Sequence, residues 1–375
     1  MNFQLTQEQQ DIQQRAANFA AEYVAPYAAE WDRDETFPAD AIKACAEHGL
    51  TGLTVPKEKG GHGASSISYA LAIMELAKAC SSTAVTVAVS SMVAETISHY
   101  GTQEQIDKYI PKILSGEYIA GSFALSEPGA GSDAGALNTK VQFEGDDVII
   151  NGEKCWISSG THAGVFVVWT RTGEGEGTRG ITTYLVEPED EGFHIGRKED
   201  KMGLRASTTV SLQFEDCRVP QSRKMGESGR GFRIAMTALD GGRIGVASQA
   251  LGIAMRAIEE THTYLKRTQD TLNGEQRQWL AEMTSKASAA KLLILRAAWL
   301  KDQKRPFSEK AAMAKAYSTE IANEICQRAV ALLGEAGCNE ETAVERLFRD
   351  CKVTTIYEGT SEVQRIVISR SILRD

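Results

Sequence analysis

The chain has 375 residues, 42% of them hydrophobic, and carries a formal net charge of −9. That length is more than one simple domain needs and can bury a sizeable core. The acidic balance excludes a nucleic-acid partner and leaves room only for a local basic groove around one phosphorylated ligand. Seven scattered cysteines without a CxxC spacing predict reduced thiols, with neither a zinc site nor a disulfide frame. No apolar run approaches the roughly 20 residues that span a bilayer. A helix signal begins almost at Met1, with no secretory or Arg-rich presequence ahead of it, which predicts a cytoplasmic protein.

The first third reads as helical. Thr6-Gln7-Glu8-Gln9 fits a capping box, followed by Ile12, Ala16, Phe19, Ala20 and Tyr23 at helical spacing up to Pro26. Pro38 opens a second helix through Ile42, Ala46 and Leu50. Beyond the glycine-rich break at 58–63, residues 67–100 predict one long helix. It is apolar over most of its circumference and therefore buried in a bundle. Gln103 to Leu114 is a further short helix.

From Gly121 the period changes to two. Val141 and Phe143, a Gly145-Asp146-Asp147 turn, then Val148 and Ile150 predict a hairpin. Val165–Thr170, Ile181–Val186 and the alternation Val210, Leu212, Phe214 predict further strands, the first two joined by the loop 172–177. Two stretches here carry candidate chemistry. In FALSEPGAGSD (123–133), a strand runs into a glycine-rich turn that presents backbone N–H groups and admits a phosphate or flat ring. Cys155-Trp156-Ile157-Ser158-Ser159-Gly160 alternates a large aromatic with a hydroxyl, one way to pack a planar cofactor and hydrogen-bond its edge. Each of these also fits a purely structural role.

After Gly231 the chain returns to long helices, about 232–264, 276–303 and 308–333, with a last pair flanking Tyr357-Glu358-Gly359. Ile356 and Tyr357 are expected to exclude water from Glu358, raising its basicity. Gly359 leaves backbone amides open to a ligand, and Thr360 and Ser361 are candidate caps. The order is an N-terminal helical domain (1–120), a middle β domain (121–230) and a C-terminal helical bundle (231–375). The fold class is thus mostly α with an inserted β domain.

In order and spacing, FALSEPGAGSD (123–133), KCWISSG (154–160), DKMGLRAS (200–207), FEDCRVP (214–220), LDGGRIGVASQALG (239–252) and TIYEGTSEVQR (355–365) resemble the acyl-CoA dehydrogenase family. The resemblance implies a middle β-barrel-like domain and a C-terminal four-helix bundle. It implies bound FAD, and oxidation of an acyl-CoA thioester to the trans-2-enoyl-CoA, as in fatty acid β-oxidation. It further implies electron delivery to an electron-transferring flavoprotein, and a homodimer or homotetramer. By the same resemblance Glu358 is the base that removes the α-proton while the β-hydride goes to flavin N5. Gly359 and the Glu358 amide polarise the thioester carbonyl. The cofactor-binding set is Phe123, Leu125, Ser126, Gly131, Ser132, Trp156, Ile157, Ser158, Thr360 and Glu362. The substrate-binding set is Ser132, Met236, Leu239, Asp240, Arg243, Tyr357 and Gly359. Gly242 stands where a minority of the family places an alternative base, and LDGGR points to the short-chain, butyryl-CoA branch.

Two stretches depart from the family pattern. The Arg-x-x-Phe-Gly segment that reaches a neighbouring subunit's FAD is shortened at 264–279, leaving only Arg267 as a remnant. The Gln-x-x-Gly-Gly-x-Gly segment reads Ala331 to Gly337, with Ala331 for the glutamine and Glu335 for a glycine. Weak FAD retention is therefore expected. Two alternatives stand beside the main reading. One is a flavin-poor or heteromeric subunit that needs a paralogue for cofactor binding; the other is different flavin chemistry, such as an oxidase or desulfinase.

Overall fold

The computed structural model describes residues 4–173, 175 and 177–373. Helix α1 (Gln7–Phe19) starts on the expected capping box, with Thr6 accepting from the Gln9 N–H and the Gln9 side chain accepting in return. A π turn over Ala20–Val24 carries the chain toward Pro26. The short α2 (Ala28–Arg33) has no counterpart in the sequence reading; α3 (Ala39–Glu47) begins directly after Pro38. Residues 67–100 are two helices instead of one, α4 (Ser66–Ala79) and α5 (Ser81–Tyr100). They break at Cys80, whose backbone is extended at φ −153°. Ser81 and Ser82, poor residues for a helix interior, mark that break. Helix α6 (Gln103–Leu114) closes this region on a second capping box.

The middle region is an eight-stranded sheet: β1 (Ala120–Ala124), β2 (Lys140–Glu144), β3 (Asp147–Ser158), β4 (Ala163–Arg171), β5 (Ile181–Val186), β6 (Phe193–Lys198), β7 (Thr209–Pro220) and β8 (Lys224–Met225). The spatial order is β6-β7-β3-β2-β4-β5-β8, with β1 parallel to β4. The β2–β3 hairpin has the expected register, Val141 opposite Ile150 and Phe143 opposite Val148. Alternating residues such as Val148, Ile150, Phe166, Val168, Leu212 and Phe214 fill one buried cluster on the sheet. In the loop 172–177, Glu174 and Glu176 lie outside the described residues.

Five helices follow: α7 (Gly231–Thr268), α8 (Gly274–Asp302), α9 (Ser308–Leu333), α10 (Val344–Thr354) and α11 (Ser361–Leu373). Buried residues of α7, α8, α9 and α10 share one core with Ala70, Leu71 and Met74 of α4. The N-terminal helices therefore continue the C-terminal bundle without a seam. The approach is close: a Cβ at Gly252 would sit 2.5 Å from the Met74 carbonyl oxygen. A second core joins α5 and α6 to β1, β4, β5 and the start of α7. No helix among the described residues is long and apolar enough to cross a membrane.

Candidate active site

The turn between α10 and α11 is strained and held from several sides. Glu358 has φ +52° and Gly359 φ +92°, two consecutive left-handed residues. For the glutamate that conformation costs on the order of 1–3 kcal/mol, and it persists only where its surroundings over-determine it. Here they do. The Ser361 N–H donates to Thr355 O at 3.0 Å, and the Val363 N–H donates to Thr360 Oγ1 at 3.3 Å, which makes Thr360 a cap of α11. The Gly359 carbonyl accepts twice, from Lys315 Nζ of α9 at 2.7 Å and from Gln364 Nε2 at 2.8 Å. Tyr357 donates its hydroxyl to Gln249 Oε1 of α7, and Gln249 Nε2 donates to Ser81 Oγ of α5 at 2.8 Å.

This frame aims the Glu358 carboxylate at α7. A Cβ at Gly242 would overlap Glu358 Oε2 and approach Met92 Sδ of α5 to 3.0 Å. Glycine at 242 is therefore required for the carboxylate to lie where it does. Oε2 is sealed from solvent and has no hydrogen-bond partner among the described residues. Burial pushes the carboxyl up to about 7, while the Lys315 ammonium and then the Arg243 guanidinium restrain the rise. Arg243 pairs with Asp240 Oδ1, and Ser308 donates to the other Asp240 oxygen. The dry surroundings come from Met92, Gly242 and Tyr69, whose hydroxyl would lie 2.6 Å from a Cβ at Gly245. Ile356 was expected to shield Glu358. It does not: it is 51% exposed, because its N–H closes the last turn of α10 on Val353 O and leaves the side chain outward.

The two candidate stretches of the β domain meet through the backbone. The Cys155 N–H donates to Ser126 O at 3.0 Å, and Lys154 Nζ donates to Leu125 O at 3.2 Å. Lys154 and Glu127 form an ion pair at 2.8 Å, both buried. Glu127 also accepts from the Asn138 and Thr139 N–H groups. The glycine-rich turn is thus anchored from beneath, whereas added Cβ atoms at Gly129 and Gly131 would meet open space. Trp156 sits at a bulge of β3 with φ +59° and shows 63% of its surface to solvent, while Ile157 is buried behind it. Ser122 Oγ donates to Ser158 O at 2.7 Å.

Phe123 of β1, Leu204 and Tyr357 share a small apolar cluster with Val85 and Val89, joining this region to the Glu358 turn. Asp350 of α10 clamps the same place by accepting from the Leu204 N–H at 2.6 Å. Met236 and Leu239 pack half-buried on the core shared with the sheet, one turn ahead of Asp240 and Arg243. Ser132 and Gly131 are exposed on the glycine turn, and Glu362 is exposed on α11, all outside the cluster around Glu358. Sequence reasoning missed Lys315, Gln364, Gln249 and Met92. Lys315 had a faint signal, a lysine in the alanine-rich stretch Ala311–Ala316.

Family models for the acyl-CoA dehydrogenase N-terminal, middle and C-terminal domains match residues 6–117, 122–217 and 229–373. The short-chain-specific acyl-CoA dehydrogenase of Clostridium acetobutylicum is 42% identical over 382 residues, covering all of both chains. Butyryl-CoA dehydrogenase from Megasphaera elsdenii superposes with a TM-score of 0.96 at 37% identity over the full length of both. A chain solved in a study of the electron transferring flavoprotein of Acidaminococcus fermentans reaches 0.98 at 41% identity, again over both full lengths.

The chain belongs to the acyl-CoA dehydrogenase family.

It is accordingly a flavoprotein oxidoreductase with FAD as its cofactor. The geometry fits that group. An exposed indole on left-handed backbone, beside an open glycine turn whose supporting pair is buried, suits a flat ring and a phosphate. The two divergent stretches look different. Arg267 is 65% exposed in its pair with Glu341 at 3.3 Å, and Ala331, Gly334 and Glu335 all face solvent.

Proposed function

We propose that this acyl-CoA dehydrogenase acts on short acyl-CoA thioesters, with Glu358 as the base that takes the α-proton. The single observation carrying this reading is the sealed, unpartnered Oε2 of a carboxylate pushed up to about 7. Such a group is about half ionised at neutral pH and fully ionised above it, and is basic enough to take a proton. The Glu358 N–H has no acceptor among the described residues and is free to donate to a thioester carbonyl. That donation lowers the energy of the developing enolate, without which a carboxylate is too weak a base for an α-C–H. Met92, Tyr69 and Tyr357 keep water from the same atoms.

Phe123, Leu125, Ser126, Trp156, Ile157 and Ser158 would hold the flavin ring, and Gly131, Ser132, Thr360 and Glu362 the phosphate and ribose side. FAD bound there supplies the acceptor for the β-hydride. Ser132, Met236, Leu239, Asp240 and Arg243 would line the CoA channel, with Tyr357 and Gly359 at the thioester. An electron-transferring flavoprotein would take the electrons from the enzyme, a homodimer or homotetramer. The short acyl chain is inferred from the short-chain and butyryl-CoA enzymes named above, and from Gly242, which leaves Glu358 without a competing base.

The test is an acyl-CoA panel from butyryl to palmitoyl with an artificial electron acceptor, run on the native enzyme and on Glu358→Gln. Turnover should peak at the short end, and E358Q should lose on the order of 10³-fold while still binding acyl-CoA. Near-normal turnover in E358Q would overturn the assignment of the base; a long-chain optimum would overturn the substrate class.

A further inference from the structure

Among the described residues Lys315 is the one fully buried lysine in the helical bundle, and the mechanism above does not use it. It lies on α9 in the alanine-rich core, with its Nζ 2.7 Å from the Gly359 carbonyl. That carbonyl belongs to the second of two left-handed residues and also accepts from Gln364 Nε2 at 2.8 Å. Desolvating an ammonium is expensive, and one charge-assisted bond to a neutral carbonyl recovers only part of it. A lysine is a poor choice for holding a carbonyl when an amide already does so, unless its charge has a further use. The Glu358 carboxylate, one residue before the carbonyl that Lys315 holds and within reach of its charge, is that use.

We propose that Lys315 is the positioning residue of the catalytic turn: it fixes the Glu358–Gly359 peptide through the Gly359 carbonyl and supplies the positive charge that keeps the neighbouring carboxylate ionised. This rests on the reading of Glu358 as the base. Gln364 shares the first task and cannot perform the second.

The electrostatic surroundings support this division. From α7, Arg243 faces Glu358, but Asp240 already neutralises it in part. From α4, Tyr69 faces the same carboxylate, as does Tyr357 of the turn itself, and both are held neutral, burial being the main cause. Met92 of α5 is uncharged. Lys315 is therefore the strongest attraction on Glu358. In the other direction, Lys315 sees Glu358 first, then Arg243, Glu362 and Glu320. Burial brings its ammonium down to about 8, and the Glu358 charge limits that fall. The two groups hold each other in the charged form that proton abstraction needs.

Three substitutions separate the charge from the clamp. Lys315→Met removes both, Lys315→Gln keeps a donor amide without the charge, and Gln364→Leu removes the second clamp and leaves the charge. The readouts are the acid limb of the kcat/KM–pH profile and an infrared titration of the Glu358 carboxyl, identified by its absence in E358Q. With Lys315 neutralised, K315M and K315Q should move both readouts to higher pH by about one unit, a tenfold loss at pH 6. Q364L should lower kcat several-fold with the limb in place. Thermal melts check folding, and replacing a buried charge by an apolar side chain of similar length is commonly tolerated. If K315M fails to fold, K315Q carries the same test. An unmoved limb and carboxyl titration in the folded lysine variants would overturn the proposal. So would an equal shift in Q364L, which would make the effect geometric. If E358Q itself retains turnover, the base assignment falls first, and the infrared titration still reports whether Lys315 acts on that carboxyl.

Discussion

The turn around Glu358 and the two stretches at 264–279 and 331–337 belong to one helical bundle but are built in opposite ways. Atoms from α4, α5, α7 and α9 converge on the turn, and its strained backbone is held by buried donors. The other two stretches lie at helix ends. Helix α7 stops at Thr268, α8 starts on an Asn273–Gln276 capping box, and Arg267 spends its guanidinium on Tyr264 and Glu341. An exposed pair of that kind is worth at most about 1 kcal/mol. The lesson is one of coupling. The backbone that carries Glu358 cannot drift without disturbing a core, whereas the surface segments can change residue by residue at almost no expense in stability.

The sharpest way to break the first half of this contrast is Gly242→Ala. The new Cβ would overlap the end of the Glu358 side chain, which is flexible, so the fold should survive while the carboxylate swings away. A displacement of about 1 Å at a reacting group costs on the order of 10²-fold in rate. Turnover of the best acyl-CoA should fall by that factor with a melting temperature close to native. Unchanged turnover would show that the carboxylate does not need the space above Gly242.

The second half is tested through FAD. Where a family member offers Arg and Gln to a neighbouring subunit's cofactor, this chain offers an engaged Arg267 and Ala331, with the exposed carboxylate of Glu335 nearby. A charge-assisted hydrogen bond is worth roughly 1.5–3 kcal/mol, so the loss of one or two weakens FAD by about tenfold or more. The enzyme should purify partly flavin-free, and Ala331→Gln with Glu335→Gly should tighten FAD by at least that factor in a fluorescence titration. Stoichiometric FAD that resists dialysis in the native chain would show that other residues serve the adenine side.

Much of this was legible from residues alone. The period change at Gly121, the β2–β3 hairpin, and the motifs carrying Glu358 and Trp156 are local signals with local causes. The break at Cys80 was missed although Ser81 and Ser82 mark it, because the helices on either side are apolar and buried over most of their surface. Lys315 and Gln364 were missed for a different reason. Each acts on a turn far away in sequence or on its opposite side, and no spacing rule connects a lysine in an alanine run to a carbonyl on another helix. Ile356 misled because hydrophobicity alone does not say which way the last turn of a helix points its side chains.

The smallest expected effect separates the two regions by stability. Burial raises the Glu358 carboxyl to about 7 in the folded chain, against an ordinary value of 4.5. The folded state therefore holds this proton more tightly than the unfolded state. Stability from this source is complete below pH 4.5 and is lost as pH rises through 7. At about 1.4 kcal/mol per unit, the full loss by pH 8 is roughly 3 kcal/mol as an upper bound. Glu358→Gln has no such proton to lose. At acidic pH the native carboxyl is itself protonated, so Lys315 has a neutral neighbour in both proteins; without the Glu358 charge at higher pH, the buried lysine of E358Q sheds its proton earlier than in the native enzyme, so both effects have the same sign. The melting temperature of E358Q relative to the native enzyme should climb between pH 5 and pH 8, by several degrees at most. Glu335→Gln, at an exposed position, should stay within about 0.5 kcal/mol of native at both pH values. A pH-independent difference for E358Q would mean that the Glu358 carboxyl is not shifted by its surroundings, and the contrast between an enclosed base and a free surface would lose its electrostatic half.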